Sequence, residues 1–255
     1  MKYLRFQLPN TSHWNWGVVE NHPIIEQLTH SYFESSIKNG QTYEISQVKL
    51  GSPVLPSKII AVGLNYRDHI HEFGHPVPDH PILFLKPPTA LIGPGDEIVL
   101  PRQSQQVDFE GELAVVIKKT AFQITREEAP GYILGYTCLN DVTARDLQKI
   151  DGQWTRAKSF DTFAPLGPWI VSGINPARLR IITRVNGIIR QQSETSQLLF
   201  SVNELVSFIS RIMTLLPGDV IATGTPSGVG PLVPGDLVEV DIDEIGILTN
   251  QVKGQ

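Results

Sequence analysis

The sequence predicts a strand-rich α+β fold, a mixed β-roll or β-sandwich with a few short helices. Three observations predict it. Short apolar runs broken by Gly, Pro, Asn and Asp recur along the chain. They do not alternate regularly with helical stretches, which argues against a doubly wound parallel sheet. Turn chemistry also sits where runs meet: Asn186-Gly187 inside "RVNGIIR" is a hairpin signal, and "PGD" at 217–219 and 234–236 opens two further runs.

Taken in order, residues 1–57 read as a small N-terminal segment of strands with one helix. "HPIIEQLTHSYFESSIKNG" is the expected helix, stopped by Gly40. The stretch around Pro53 and Pro56 is the expected junction, since the residue before a proline favours extended backbone. Residues 58–255 form the main domain. Its expected strands are "KIIAVGLNY", "PILFLK", "GELAVVIK", "ILGYTCLN", "GPWIVSG", "LRIITRVNG", "DVIATGT", "DLVEVDID" and "IGILTNQV". One helix stands out. Ser201 and Glu204 have capping-box spacing, and Leu205, Phe208, Ile209 and Ile212 follow at helical intervals.

Composition bounds the function. With 255 residues, 41% hydrophobic and 18% charged, the chain can bury a sizeable core. The net charge of -5 and the lack of a basic run make nucleic acid and anionic membrane surfaces poor partners. The single cysteine, Cys138, excludes an internal disulfide and a multi-cysteine zinc site. There is no signal-peptide core in "MKYLRFQLPN" and no 18-residue apolar run, so a cytoplasmic protein is expected.

The chemistry concentrates in a few places. In "VDFEGELAVVIKK" strand alternation puts Glu110 and Glu112 on one face, at the mouth of a buried run. Acids on a wet strand face are ordinary, but like charges repel and a glycine within a strand marks close approach. All seven histidines lie at or before His80, so candidate donors near these glutamates in sequence are, Cys138 apart, oxygens: Asp108, Asp141, Asp146 and Asp151. An all-oxygen set suits Mg²⁺ or Mn²⁺ rather than Zn²⁺. On spacing alone Asp141 reads first as a helix N-cap, with Arg145 as its i,i+4 partner. His69 and Glu72 share a face if their stretch is helical, the pairing a general base needs. Lys158 lies among Trp154, Phe160 and Phe163, as either a desolvated cation or an ordinary surface lysine. "ATGTPSGVGP" lacks the Gly-Lys-Ser/Thr of a phosphate loop.

In this order, "GLNYRDHIHEFG", "FLKPPTALIGPGDEIVLP", "DFEGELAVVI", "GYTCLNDVTARDLQ", "RAKSFDTFAPLGPWI" and "LLPGDVIATGTPSGVGP" resemble the fumarylacetoacetate hydrolase family. The likeness is to its acylpyruvase and 2-hydroxyhepta-2,4-diene-1,7-dioate isomerase-like branch, and it runs from about Lys58 to Val252. The resemblance implies the fold of that family's C-terminal domain, usually as a homodimer. It implies Glu110, Glu112 and Asp141 as ligands of one Mg²⁺ or Mn²⁺ ion. It further implies His69 and Glu72 as a water-activating dyad, Lys158 as an oxyanion donor, and Arg145 and Thr225 as substrate-binding residues.

The activity implied is hydrolysis of the C–C bond of a 2,4-dioxo acid such as an acylpyruvate, through a pyruvate enolate held by the cation. Isomerisation or decarboxylation of a 2-hydroxy-diene dioate from aromatic catabolism is the alternative, with oxaloacetate decarboxylation beside it. A binding protein that keeps the fold without catalysis is the reading of another class. The expected partner is a small 2-oxo acid. Two departures from the family pattern are Lys118, where glycine is common, and Glu194 with Leu198 near the pocket wall.

Overall fold

The structure is a computed structural model, and it describes residues 1–68 and 76–255. Every strand expected in the main domain forms, and the arrangement is strand-rich with mixed sheets. The largest sheet runs through Lys38–Glu44, Ile24–Leu28, Trp14–Val19, Lys2–Gln7, Ala164–Val171, Ile133–Asn140, Gly111–Ile117, Val220–Ala222, Ile59–Gly63 and Ile82–Lys86. A second sheet joins Ile188–Glu194, Arg180–Val185, Leu237–Ile242, Gly246–Gly254 and Glu97–Leu100. A small third one pairs Val107–Phe109 with Thr143–Ala144 and Gly230–Pro231.

The Gly111–Ile117 strand is central, and all of its residues are buried. Its alternation is as read from sequence, but both faces are covered. Leu113, Val115 and Ile117 join a cluster with Ile181, Val240 and Ile242 of the second sheet. Ala114 and Val116 pack on the other side with Ile59, Ala61 and Leu139. Neither Glu110 nor Glu112 is on a solvent-facing strand surface, so the ordinary wet-face alternative does not hold.

Among the described residues three α-helices are seen: α1 (Arg145–Asp151), α2 (Thr155–Lys158) and α3 (Val202–Ser210). In α3 the Glu204 carboxylate accepts from the Ser201 amide at 2.8 Å and its hydroxyl at 2.6 Å, so the capping box forms. Leu205 and Ile209 are buried as expected, but the helix ends at Ser210 and Ile212 is left 56% exposed. None of these helices is long and apolar enough to cross a membrane.

The helix expected from "HPIIEQLTHSYFESSIKNG" is absent. The segment instead supplies the paired strands Ile24–Leu28 and Lys38–Glu44. Ile25 and Leu28 fit helical spacing, but they enter different clusters: Ile25 packs with Leu4 and Phe6, Leu28 with Val18 and Tyr32. A pair of adjacent β-branched residues and a neighbouring strand to bond with settle the segment as sheet. These N-terminal strands continue the large sheet, because Lys2 and Tyr3 pair with Val171 and Ile170.

The hairpin expected at Asn186-Gly187 is present. Both residues have positive φ, 53° and 76°, as a two-residue hairpin turn of this kind demands.

Candidate active site

The site lies where three connections meet. One is Glu110, the link between the Val107–Phe109 strand and the Gly111–Ile117 strand, which belong to different sheets. Changing sheet here turns the chain and leaves Glu110 and Glu112 on either side of Gly111. The second is Asp141, just past the end of the Ile133–Asn140 strand. The third is the loop after Val220–Ala222, which carries Gly224 and Thr225.

Glu110, Glu112 and Asp141 converge. One carboxylate oxygen from each lies within 4.8 Å of the others, and all three residues are buried. Each carboxylate has a partner of its own, and Lys158 is shared by Glu110 and Asp141. Glu110 bonds to the Arg145 guanidinium, accepts from the Thr143 hydroxyl at 3.1 Å and from Lys158 Nζ at 2.9 Å. Glu112 accepts from the Gly224 amide at 2.8 Å. Asp141 accepts from Lys158 at 2.6 Å through Oδ2 and from Lys86 at 2.5 Å through Oδ1. The sheet-changing link is pinned as well, since the Glu110 amide donates to Asn140 Oδ1 at 2.9 Å.

Electrostatics follow from burial. Burial pushes the Glu112 carboxyl well above its ordinary value, and the neighbouring Asp141 and Glu110 charges push it further. For Lys158, burial favours loss of the proton, but Asp141 and Glu110 outweigh it and hold the amine above its usual value. Lys158 thus lies between two acids on the cavity lining. Arg145 is likewise held above its usual value, because Glu110 and Asp108 overcome its burial. Lys86 moves the other way: burial outweighs Asp141, and the Lys158 charge adds to the lowering.

A cavity of about 360 Å³ opens onto this cluster. Glu110, Glu112, Asp141, Arg145, Lys158 and Thr225 all line it. Its apolar wall includes Val62, Phe84 and Trp154, with Phe84 and Trp154 edge-to-face at 5.1 Å. Trp154 fits there because Gly63 lacks a side chain; a Cβ would lie 2.5 Å from the indole.

Several expectations change at this level. Asp141 does not cap α1, whose N-cap is Ala144. Arg145 turns to Asp108, at 2.8 Å, and to Glu110 rather than to Asp141. Asp108 is therefore an ion-pair partner, not a donor of the triad. Asp146 accepts from Ser104 at 2.6 Å and from the Gln105 amide at 2.8 Å, and Asp151 pairs with the exposed Arg156. Lys158 is buried rather than on the surface, and the ring it faces is Phe84, at 5.0 Å. Phe160 and Phe163 pack against each other instead. The Thr225 hydroxyl donates to the Gly111 carbonyl at 2.9 Å and accepts from Gln191 at 2.8 Å. His69 and Glu72 lie outside the described residues.

Lys86 was missed by sequence reasoning. Its signal is faint: a lysine closing the apolar run "PILFLK", just before Pro87. Only the packing of the Ile82–Lys86 strand beside Ile59–Gly63 brings its ammonium to Asp141 and to the Val142 carbonyl, at 3.1 Å.

Residues 58–253 match the family model described as fumarylacetoacetate (FAA) hydrolase C-terminal. The chain belongs to the fumarylacetoacetate hydrolase family. Members of it are similar over most of their length. An uncharacterized protein of Archaeoglobus fulgidus is 61% identical over 217 residues, 85% of this chain and 87% of that one. The oxaloacetate tautomerase YisK of Bacillus subtilis is 47% identical over 225 residues, 82% of this chain and 75% of that one. The crystal structure of 5-carboxymethyl-2-hydroxymuconate delta-isomerase from Mycobacterium smegmatis superposes with a TM-score of 0.93 at 44% identity, covering 100% of both chains.

The donor set of this fumarylacetoacetate hydrolase family member fits a hard divalent cation. Among the described residues its donors are carboxylates, buried and convergent, with neither His nor Cys beside them. Glu112 in particular has burial and two like charges against its ionised form, with the Gly224 amide and the Lys158 charge favouring that form. A dication within reach of the triad would relieve that imbalance.

Proposed function

We propose that this chain is a divalent-cation-dependent enzyme that interconverts the enol and keto forms of a 2-oxo dicarboxylic acid of the oxaloacetate class. The observation that carries the reading is the buried triad Glu110, Glu112 and Asp141 opening onto a cavity of about 360 Å³, with Lys158 on its wall bonded to Glu110 and Asp141. Glu110, Glu112 and Asp141 would hold Mg²⁺ or Mn²⁺, which when bound supplies Lewis-acid polarisation of a 2-oxo group.

The residues of the chain have defined parts in this reading. Arg145 holds Glu110, the Gly224 amide holds Glu112, and Lys86 holds Asp141, so the donors are in place before a ligand arrives. Lys158 directs a charge-assisted hydrogen bond at the substrate 2-oxo oxygen. That oxygen gains negative charge as C3 gives its proton to His69, the base candidate of "NYRDHIHEFG", and takes that proton up as the enol forms. Hydrogen bonds to Glu110 and Asp141 hold the Lys158 Nζ at the triad. Phe84 and Trp154 keep water from the carbon side of the substrate. Arg145 and Thr225 line the same cavity and complete the substrate-binding set.

We put this proton-moving chemistry ahead of the hydrolysis expected from sequence, and the similarity to proteins named oxaloacetate tautomerase and 5-carboxymethyl-2-hydroxymuconate delta-isomerase supports that order. Hydrolysis of an acylpyruvate stays as the second reading, favoured by "NYRDHIHEFG", which supplies His69 and Glu72 as a base for water. One experiment separates the two. The enol absorbance of oxaloacetate and the absorbance of an acylpyruvate are followed with metal-loaded and EDTA-treated protein. Faster enol decay with loaded protein alone is the expected result. Acylpyruvate cleavage without enol–keto catalysis would replace the first reading by the second, and turnover of neither would remove both.

A further inference from the structure

Gln191 lies outside the cavity wall, yet it touches the framework of the triad from behind. Its side chain is fully buried. Its Oε1 accepts from the Gly111 amide at 3.0 Å, and its Nε2 donates to the Thr225 hydroxyl and to the Pro226 carbonyl, both at 2.8 Å. The Thr225 hydroxyl in turn donates to the Gly111 carbonyl at 2.9 Å. This closes a ring: Gly111 amide, Gln191, Thr225, Gly111 carbonyl. Gly111 is the residue between Glu110 and Glu112, and the loop holding Thr225 also supplies the Gly224 amide that binds Glu112.

Shape enforces the same contact. A Cβ on Gly111 would sit 2.1 Å from the Thr183 hydroxyl and 3.3 Å from Gln191 Oε1. The glycine between the two glutamates therefore admits the Arg180–Val185 and Ile188–Glu194 strands of the second sheet. A glutamine is suited to this place. It offers one acceptor and two donor hydrogens in a fixed plane, and all three meet a partner.

We propose that Gln191 is a positioning residue that sets the geometry of Glu110 and Glu112 for cation binding. It does so by locking Gly111 to the Gly224–Pro226 loop. The proposal rests on the reading of the triad as a cation site. Loss of an outer residue that orients ligands weakens metal binding by about 10–100-fold.

The test is Mn²⁺ affinity, read without substrate by the electron paramagnetic resonance of free Mn²⁺. Wild type, Gln191→Leu and Ser201→Ala are compared, with the thermal midpoint of each as a control for stability. The expected result is Mn²⁺ binding weakened about 10–100-fold in Gln191→Leu, and unchanged in Ser201→Ala although its midpoint also falls. Gln191→Asn, one methylene too short to reach all three partners, carries the same expectation should Gln191→Leu not yield folded protein. A folded Gln191 variant with a lowered midpoint and wild-type Mn²⁺ affinity would overturn the proposal and leave Gln191 a packing residue. A wild-type protein that binds no Mn²⁺ would overturn the cation-site reading as well.

Discussion

At the scale of single residues, the site is a problem of buried charge. Removing one partner of a buried pair leaves the other uncompensated, at a cost of about 3–5 kcal/mol. Lys86 is one of two buried cations on Asp141, and Lys158 would stay to compensate part of that charge, so its loss falls short of the full figure. Lys86→Met is still expected to lower the thermal midpoint in metal-free protein, and less so with Mg²⁺ present, as differential scanning calorimetry would show. An equal loss in both conditions would mean that Asp141 and the cation do not communicate. Lys158 differs in role although it is equally buried, because it also faces the cavity. An aligned donor in a water-excluding site is worth on the order of 10²–10³ in rate. Lys158→Met is expected to lower kcat by that order while Mn²⁺ still binds; an unchanged kcat would confine Lys158 to charge balance. The triad itself was legible because its acids fall in separated motifs of fixed order. Lys86 was not, since nothing local tells a strand-ending lysine that its ammonium will be buried.

Elements were legible where local chemistry decides them. The Asn186-Gly187 turn, the "PGD" turns and the Ser201–Glu204 box each satisfy backbone groups within a few residues, and all of them form. Where tertiary contact decides, reading failed: Ile25 and Leu28 fit a helix by spacing, yet they serve different clusters of a sheet. The α3 cap gives a direct check. Ser201→Ala is expected to cost about 1 kcal/mol, measurable by urea unfolding. Its partner adds a pH dependence. Burial would raise the Glu204 carboxyl, but the Ser201 hydroxyl and amide and the Arg126 charge outweigh it and hold the carboxyl below its ordinary value. A group lowered in the folded state stabilises above its unfolded pKa, and this is lost as pH falls through the folded one. The difference between wild type and Glu204→Gln is thus expected to shrink on acidification; a difference that grows would reverse the sign.

For the whole molecule, the large sheet runs through from the N-terminal strands to the strand bearing Lys86. Lys2–Gln7 pairs with the Ala164–Val171 strand, and Val18, Tyr32 and Val54 cover the face that Ala114 and Val116 present. Residues 58–253 match the family model, so their strands are recognisable without the N-terminal segment. Their solubility is another matter, because an uncovered edge strand and an apolar face invite association. Deleting residues 1–57 is expected to give a protein that aggregates by light scattering; a monodisperse product with the wild-type midpoint would show that the segment is dispensable. Which residues would meet across sheets could not be read from sequence, since the contact of Gln191 with Gly111 joins positions 80 apart.

The whole arrangement turns on one question, whether Glu110, Glu112 and Asp141 together hold a hard cation. Calorimetric titration of Mg²⁺ into metal-free wild type and into Glu112→Gln answers it most directly. The expected result is one ion per chain in wild type, and a loss of most of that affinity in the variant, since the replacement takes away one of the three carboxylate charges. Equal Mg²⁺ binding by both proteins, or a wild type that takes Zn²⁺ and ignores Mg²⁺, would contradict it.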